Sequence, residues 1–386
     1  MYNILMDATK KNSGKAAAWF GLCPVRHVLT GLGALLIVLY FALRRSQGAM
    51  EAVCYGLVRP LHRLLGRACN IVPFSVGEAL IAAAALAVIV YLVLAIRSLC
   101  KKRDWLHGGY RIALTAVMCF CVVYGGFCLM WGCYYEVADF EQSSGISAEG
   151  VSAEQLESVT AYFAALVNEY GEGVLRDENG LFAEPLDEIF ALSPTLYDEV
   201  CEKFPCLEGP QLRAKPFFFS QILSLVNFTG FFFPFTAEAN INTDSPACLI
   251  PATIAHELAH QRGVAQEDEA NFVAVLASLE NGSAAYCYSA CLLAYIHLGN
   301  ALYKADYDAW LDVYSTLSEG VLADLRNNNE YWAQYETPVS TVSDTVYTGF
   351  LQSYGQTLGL QTYGACVDLL VAYYGGAAAE YEGAEQ

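Results

Sequence analysis

The stretch TIAHELAHQRGVAQEDEANF, residues 253–272, decides how the rest of the chain is read. Pro251, just ahead of it, suits a first helical turn, and the run from there predicts a helix that stops at Gly263. His256 and His260 are four apart, so both imidazoles leave one face of that helix, with Glu257 beside them. This is the HExxH arrangement, in which two neutral imidazoles bind zinc and the glutamate acts as general base on an attacking water. With only six histidines in 386 residues, a chance pair flanking a glutamate on an ordinary polar helix is the weaker reading.

A catalytic site of this kind needs a third protein ligand. On an unbroken helix Glu267 would lie about 10.5 Å beyond His260 along the axis, far outside a ~2 Å coordination bond. Gly263 lets the chain turn, and QEDEANFVAVLASLE (266–280) then predicts a second helix. Glu267 is the expected third ligand, and Asn271, one turn on, is expected to bond the outer ring nitrogen of a ligand histidine. Glu269 is the alternative ligand, and an acidic helix start favoured by the helix dipole explains the cluster without a metal.

Other segments extend this site. In TAEANIN (236–242), Glu238, Asn240 and Asn242 alternate as on an exposed edge strand, to which a peptide substrate can add as a further strand. A plain edge strand with polar outer residues explains them equally well. Tyr286 and Tyr288 open a later helix, and Tyr288 is the expected hydroxyl donor to a tetrahedral oxyanion. His297 reads as a core histidine. The segment KPFFFSQILSLVNFTGFFFPF (215–235) is nearly long enough to cross a membrane, but Ser220, Gln221, Asn227, Gly230 and Pro234 argue instead for a helix, a turn and a short strand.

The composition places part of the chain in lipid: 55% of residues are hydrophobic and only 16% charged. Three apolar runs, 28–43, 78–96 and 112–133, have helical lengths of about 24 to 33 Å, close to a hydrocarbon core. The first is short and is expected to borrow flanking residues or to let Arg44 and Arg45 snorkel. It starts late and has no small-residue cleavage site behind it, so it reads as a signal anchor. Residues 1–133 then form a membrane anchor and 134–386 a separate domain.

Charge sets the expected orientation. Residues 1–111 carry fourteen Lys/Arg against four Asp/Glu, whereas 134–386 carry seven against thirty-six. The basic N-terminal tail and the loop RSLCKKRDWLHGGYR (97–111) belong on the cytoplasmic side, which puts the N-terminus inside and the acidic C-terminal domain outside. Such an acidic domain excludes nucleic acid as a partner. The segment EAVCYGLVRPLHRLLGRAC (51–69) is partly amphipathic and is expected along the lipid surface. Of fourteen cysteines, Cys201 and Cys206 are close enough in sequence to pair if the compartment is oxidising, but inert buried thiols are the default reading.

Four blocks together, HELAHQRGVAQEDEANF (256–272), PFSVGEAL (73–80), FPFTAEANIN (233–242) and YCYSACLLAY (286–295), resemble the bacterial membrane-protein family known as domain of unknown function 3810, DUF3810. The short gap between His260 and Glu267 departs from most HExxH-plus-Glu zinc peptidases and is itself like this family. The resemblance implies a mainly α protein: three membrane helices, then a mostly helical zincin-like domain of the gluzincin type with a small β element. It further implies one Zn²⁺ per chain on His256, His260 and Glu267, in the bacterial cytoplasmic membrane. The expectation is a membrane-anchored zinc metallopeptidase acting on a peptide or protein, with the lipid bilayer as its other partner. The alternative is a non-catalytic membrane sensor or scaffold that retains a zincin-like zinc domain.

Overall fold

Among the described residues, three helices are long and apolar enough to cross a membrane: α1 (Pro24–Leu43), α2 (Val76–Lys102) and α3 (Trp105–Met130). They belong to a computed structural model that describes residues 19–102, 104–146, 152–354 and 363–385. The short first run does borrow flanking residues: Pro24 occupies the first turn of α1, and twenty residues give about 30 Å. Arg44 does not simply snorkel, because its guanidinium pairs with Glu136 at 2.8 Å. Helix α3 starts earlier than its apolar run, since Asp104 caps it by accepting from the His107 N–H, and it ends at Met130 before a 3₁₀ turn, Gly132–Glu136. Where α1 crosses α3 the backbones touch, and a Cβ on Gly33 would lie 2.5 Å from the Cys121 carbonyl.

The chain divides into two compact units, one of Met1–Cys54 with Ala79–Glu136 and the other of Tyr55–Glu78 with Val137–Gln386. Residues 55–78, grouped with the anchor by the sequence, therefore fold in the second unit. The cause is polar pairing that hydropathy does not register. The N–H groups of Val76 and Gly77 donate to Glu238 at 3.1 and 2.8 Å, and the Ser75 hydroxyl donates to Asn240. Arg59 donates to the carbonyls of Cys206, Glu208 and Arg262.

The second unit is mainly helical. Helix α4 (Ala153–Glu172) starts with a Ser152–Gln155 capping box and runs past Gly171 to a cap at Gly173. The segment 215–235 folds as strand β1 (Lys215–Phe217), helix α5 (Ser220–Leu225) and strand β2 (Gly230–Phe233). Asn227 makes the turn between the last two with a φ of 66°.

Strand β3 (Glu238–Asn242) corrects an expectation. It is the centre of a three-stranded sheet, parallel to β1 and antiparallel to β2, and all five residues are buried. Polar alternation suggested an exposed edge; the polar side chains are instead spent on internal hydrogen bonds.

Helices α6 (Ile250–Gln261) and α7 (Glu267–Asn281) follow, joined through Gly263 at a φ of 95°. Helix α8 (Ala284–Ala305) packs against α4. The C-terminal region gives α9 (Pro338–Ser353) and α10 (Tyr363–Glu385).

Candidate metal centre

Ile254, Ala255, Leu258 and Ala259 of α6 are fully buried, and this fixes the rotation of the helix. Its two histidines meet the first residue of α7. His256 Nε2 lies 3.2 Å and His260 Nε2 3.6 Å from Glu267 Oε2. One ligand atom from each of the three residues lies within 4.8 Å of the others. The turn at Gly263 accomplishes this, since it folds α7 back instead of extending α6.

The outer ring nitrogens are both engaged. His256 Nδ1 bonds Asn271 Oδ1 at 2.9 Å, as the spacing of Asn271 predicts. His260 Nδ1 bonds the Val264 carbonyl at 2.7 Å, a contact no side-chain motif announces. A carbonyl can only accept, so each Nδ1 carries a proton and Nε2 is the nitrogen that would face a metal.

The electrostatics favour positive charge there. Burial alone would lower His260, but the Glu267 carboxylate overcomes it and raises the imidazole to about 9. Burial likewise pushes Glu267 upward, and His260 and His256 reverse this to hold it well below the usual carboxylate range. A proton and a divalent cation compete for the same lone pairs, so the donor set fits a divalent metal ion. His256, His260 and Glu267 are the residues that would hold it. Their side-chain exposures of 15%, 7% and 22% leave the cluster open on the Glu267 side.

Glu257 is 3% exposed, and its Oε2 has no hydrogen-bond partner among the described residues. Burial raises its carboxyl to about 7 against the opposing pull of His256 and His260. Strand β2 presses on it from the other side: a Cβ on Gly230 would lie 2.9 Å from Glu257 Oε1.

A family model described as "Protein of unknown function (DUF3810)" matches residues 55–371, about four fifths of the chain. The chain belongs to the DUF3810 family. No curated protein and no solved structure matches it. The match begins at residue 55, where the second structural unit also begins, and it takes in the whole of the His-His-Glu cluster.

Not every expected residue reaches the centre of this DUF3810 chain. Glu269 accepts from the N–H groups of Phe140 and Glu141 at 3.0 and 2.9 Å, capping the helix Phe140–Ser144 instead of joining the histidines. Burial raises its carboxyl to about 7 despite those two bonds. The Tyr288 hydroxyl is taken by Asp324 and Arg176, with its ring stacked on Phe182, and Tyr286 donates to the Ile189 carbonyl. Glu238 and Asn240 hold residues 75–77, and Asn242 donates to Ser224 and the Phe228 carbonyl, so none of the three presents a free polar side chain to a peptide. His297 is buried, as expected of a core histidine, with its pKa lowered to about 4 by burial and then by His256. Cys201 and Cys206 are free thiols.

One residue was missed. Tyr347 on α9 donates its hydroxyl to Glu267 Oε1 at 2.6 Å, from eighty residues downstream. In a chain with twenty-five tyrosines, nothing in its local sequence singles it out.

Proposed function

We propose that this protein is a membrane-anchored zinc metallopeptidase whose second unit is a zincin-like domain of the gluzincin type on the outer side of the bacterial cytoplasmic membrane. The observation that carries this is the pairing of two functions in one place. Two imidazole lone pairs and a carboxylate converge, and next to them a buried carboxylate has an unpartnered oxygen. A purely structural metal site has no use for Glu257.

Bound zinc supplies Lewis acidity that polarises a peptide carbonyl and acidifies water. His256, His260 and Glu267 hold it, with Asn271 and the Val264 carbonyl fixing the two rings. Glu257 takes the proton of the attacking water at Oε2; a carboxyl at about 7 is matched to that transfer near neutral pH. Tyr347 donates to Glu267 Oε1 and so fixes the orientation of that carboxylate. Strand β2 is an outer strand of the sheet, and its Gly230 abuts Glu257, so an extended peptide added along β2 passes the base. The basic segments flanking the membrane helices support the outward orientation.

Zinc content and hydrolysis of a mixed fluorogenic peptide pool, measured on the full-length protein, test this reading. About one zinc per chain in both wild type and Glu257→Gln, with turnover in wild type alone, is the expected result. A folded wild type without zinc, or equal turnover in Glu257→Gln, refutes it. Zinc without turnover in wild type would favour the sensor or scaffold alternative.

A further inference from the structure

The second unit exposes large apolar side chains in two adjacent tips. One is the turn that precedes α2, where Ile71 is 84% and Phe74 56% exposed. The other is the β1–α5 corner, where Phe218 is 83%, Phe219 49% and Ile222 55% exposed. Folded chains rarely leave such side chains bare unless a partner covers them.

Both tips are tied to the head of a membrane-spanning helix. Glu78, in the first turn of α2, accepts from the N–H groups of Phe218 and Phe219 at 2.9 and 2.8 Å. Lys215 of β1 donates to the carbonyls of Val72 and Cys69, which staples the two tips together. The continuously apolar part of α2 starts immediately after Glu78, the residue that holds the Phe218 and Phe219 N–H groups. Just upstream, Arg63 and Arg67 are exposed one turn apart on the helix Arg59–Cys69, which buries the adjacent His62 and Gly66.

We infer that Phe218, Phe219, Ile222, Ile71 and Phe74 form a wedge that inserts into the lipid interface around the root of α2, with Arg63 and Arg67 at the headgroups. Continuity with a membrane span selects lipid as the occupant, and the aromatic and cationic make-up fits the boundary layer of a bilayer. The carboxylate of Glu78 satisfies two backbone N–H groups that would otherwise be costly to bring near hydrocarbon. The wedge does not depend on the catalytic reading.

The test is photo-crosslinking of the full-length protein in nanodiscs of phosphatidylethanolamine and phosphatidylglycerol. p-Benzoylphenylalanine replaces Phe218, Ile222, Ile89 of α2 or Glu178 of an exposed turn, one at a time. The expected result is a lipid-mass adduct at Phe218 and Ile222, at a yield near that of Ile89 and roughly tenfold above that of Glu178. Lipid adducts at Ile89 alone overturn the inference. So does an adduct with the mass of a second protein chain, which would make the patch a protein interface. Absence of lipid adducts at Ile89 as well removes the membrane span on which the wedge rests.

Discussion

Glu267 and Glu269 stand two residues apart at the start of α7, yet they meet opposite partners. Glu267 faces two histidines, and Glu269 caps the helix Phe140–Ser144. Glu269→Ala is therefore expected to keep about one zinc per chain while lowering stability by about 1–3 kcal/mol, because two buried N–H groups lose their acceptor. Zinc analysis beside a thermal melt checks both halves, and loss of the metal in this variant would reverse the assignment. Asn271→Leu removes the partner of His256 Nδ1, and zinc affinity should fall about 10- to 100-fold with the fold intact. Chelator competition reads that ratio; an unchanged affinity would show that the ring needs no such support. At this scale the motif residues were legible because HExxH is a local pattern. Tyr347 was not, because its approach to Glu267 spans eighty residues and depends on where α9 packs.

Among the elements, β2 and α6 are in contact so close that only glycine fits between them. A Cβ at Gly230 would meet both Glu257 Oε1 and the Asn240 carbonyl at 2.9 Å. Gly230→Ala should displace the Glu257 carboxylate, leaving zinc bound but cutting peptide turnover about 100-fold, the scale of a misplaced catalytic group. Steady-state kinetics with parallel zinc analysis would expose the alternative, since normal kcat in Gly230→Ala means the strand yields instead of the carboxylate. Helix periodicity and the Gly263 turn were readable from sequence, as the turn is encoded by one residue able to adopt positive φ. The position of β3 was not. Alternating Glu and Asn look the same on an exposed edge as in a buried centre, and only the strands on either side decide.

For the whole molecule, residues 55–78 supply partners that the larger part of the second unit cannot replace. A chain beginning at Val137 leaves Glu238 and Asn240 buried without Ser75, Val76 and Gly77, and leaves three carbonyls without Arg59. At about 1–3 kcal/mol per unsatisfied buried group, the loss rivals a typical net stability of about 5–15 kcal/mol. That chain should show no cooperative near-UV melt, and a melt matching the full-length protein would disprove the dependence.

Acid sensitivity follows from the same segment. Burial, opposed by a hydrogen bond that the imidazole donates to the Pro234 carbonyl, lowers His62 to about 4. A depressed pKa gives stability that is complete above the unfolded value near 6.5 and is lost as pH falls toward 4, up to about 3 kcal/mol in all. Melts of His62→Gln between pH 7 and 4.5 should be flatter than those of wild type; parallel slopes would assign the acid loss to other groups.

By itself the sequence determined the three helices apolar enough to cross a membrane, the mainly helical second unit and the convergence of His256, His260 and Glu267. Each of these rests on interactions between residues close along the chain, which spacing and hydropathy record. The tertiary structure alone decided that residues 55–78 belong to the second unit, that β3 is central, that Glu269 and Tyr288 serve as structural partners, and that Tyr347 reaches the centre. All of these depend on which buried donor finds which acceptor across a hundred residues or so of chain, and a linear pattern carries no trace of that choice.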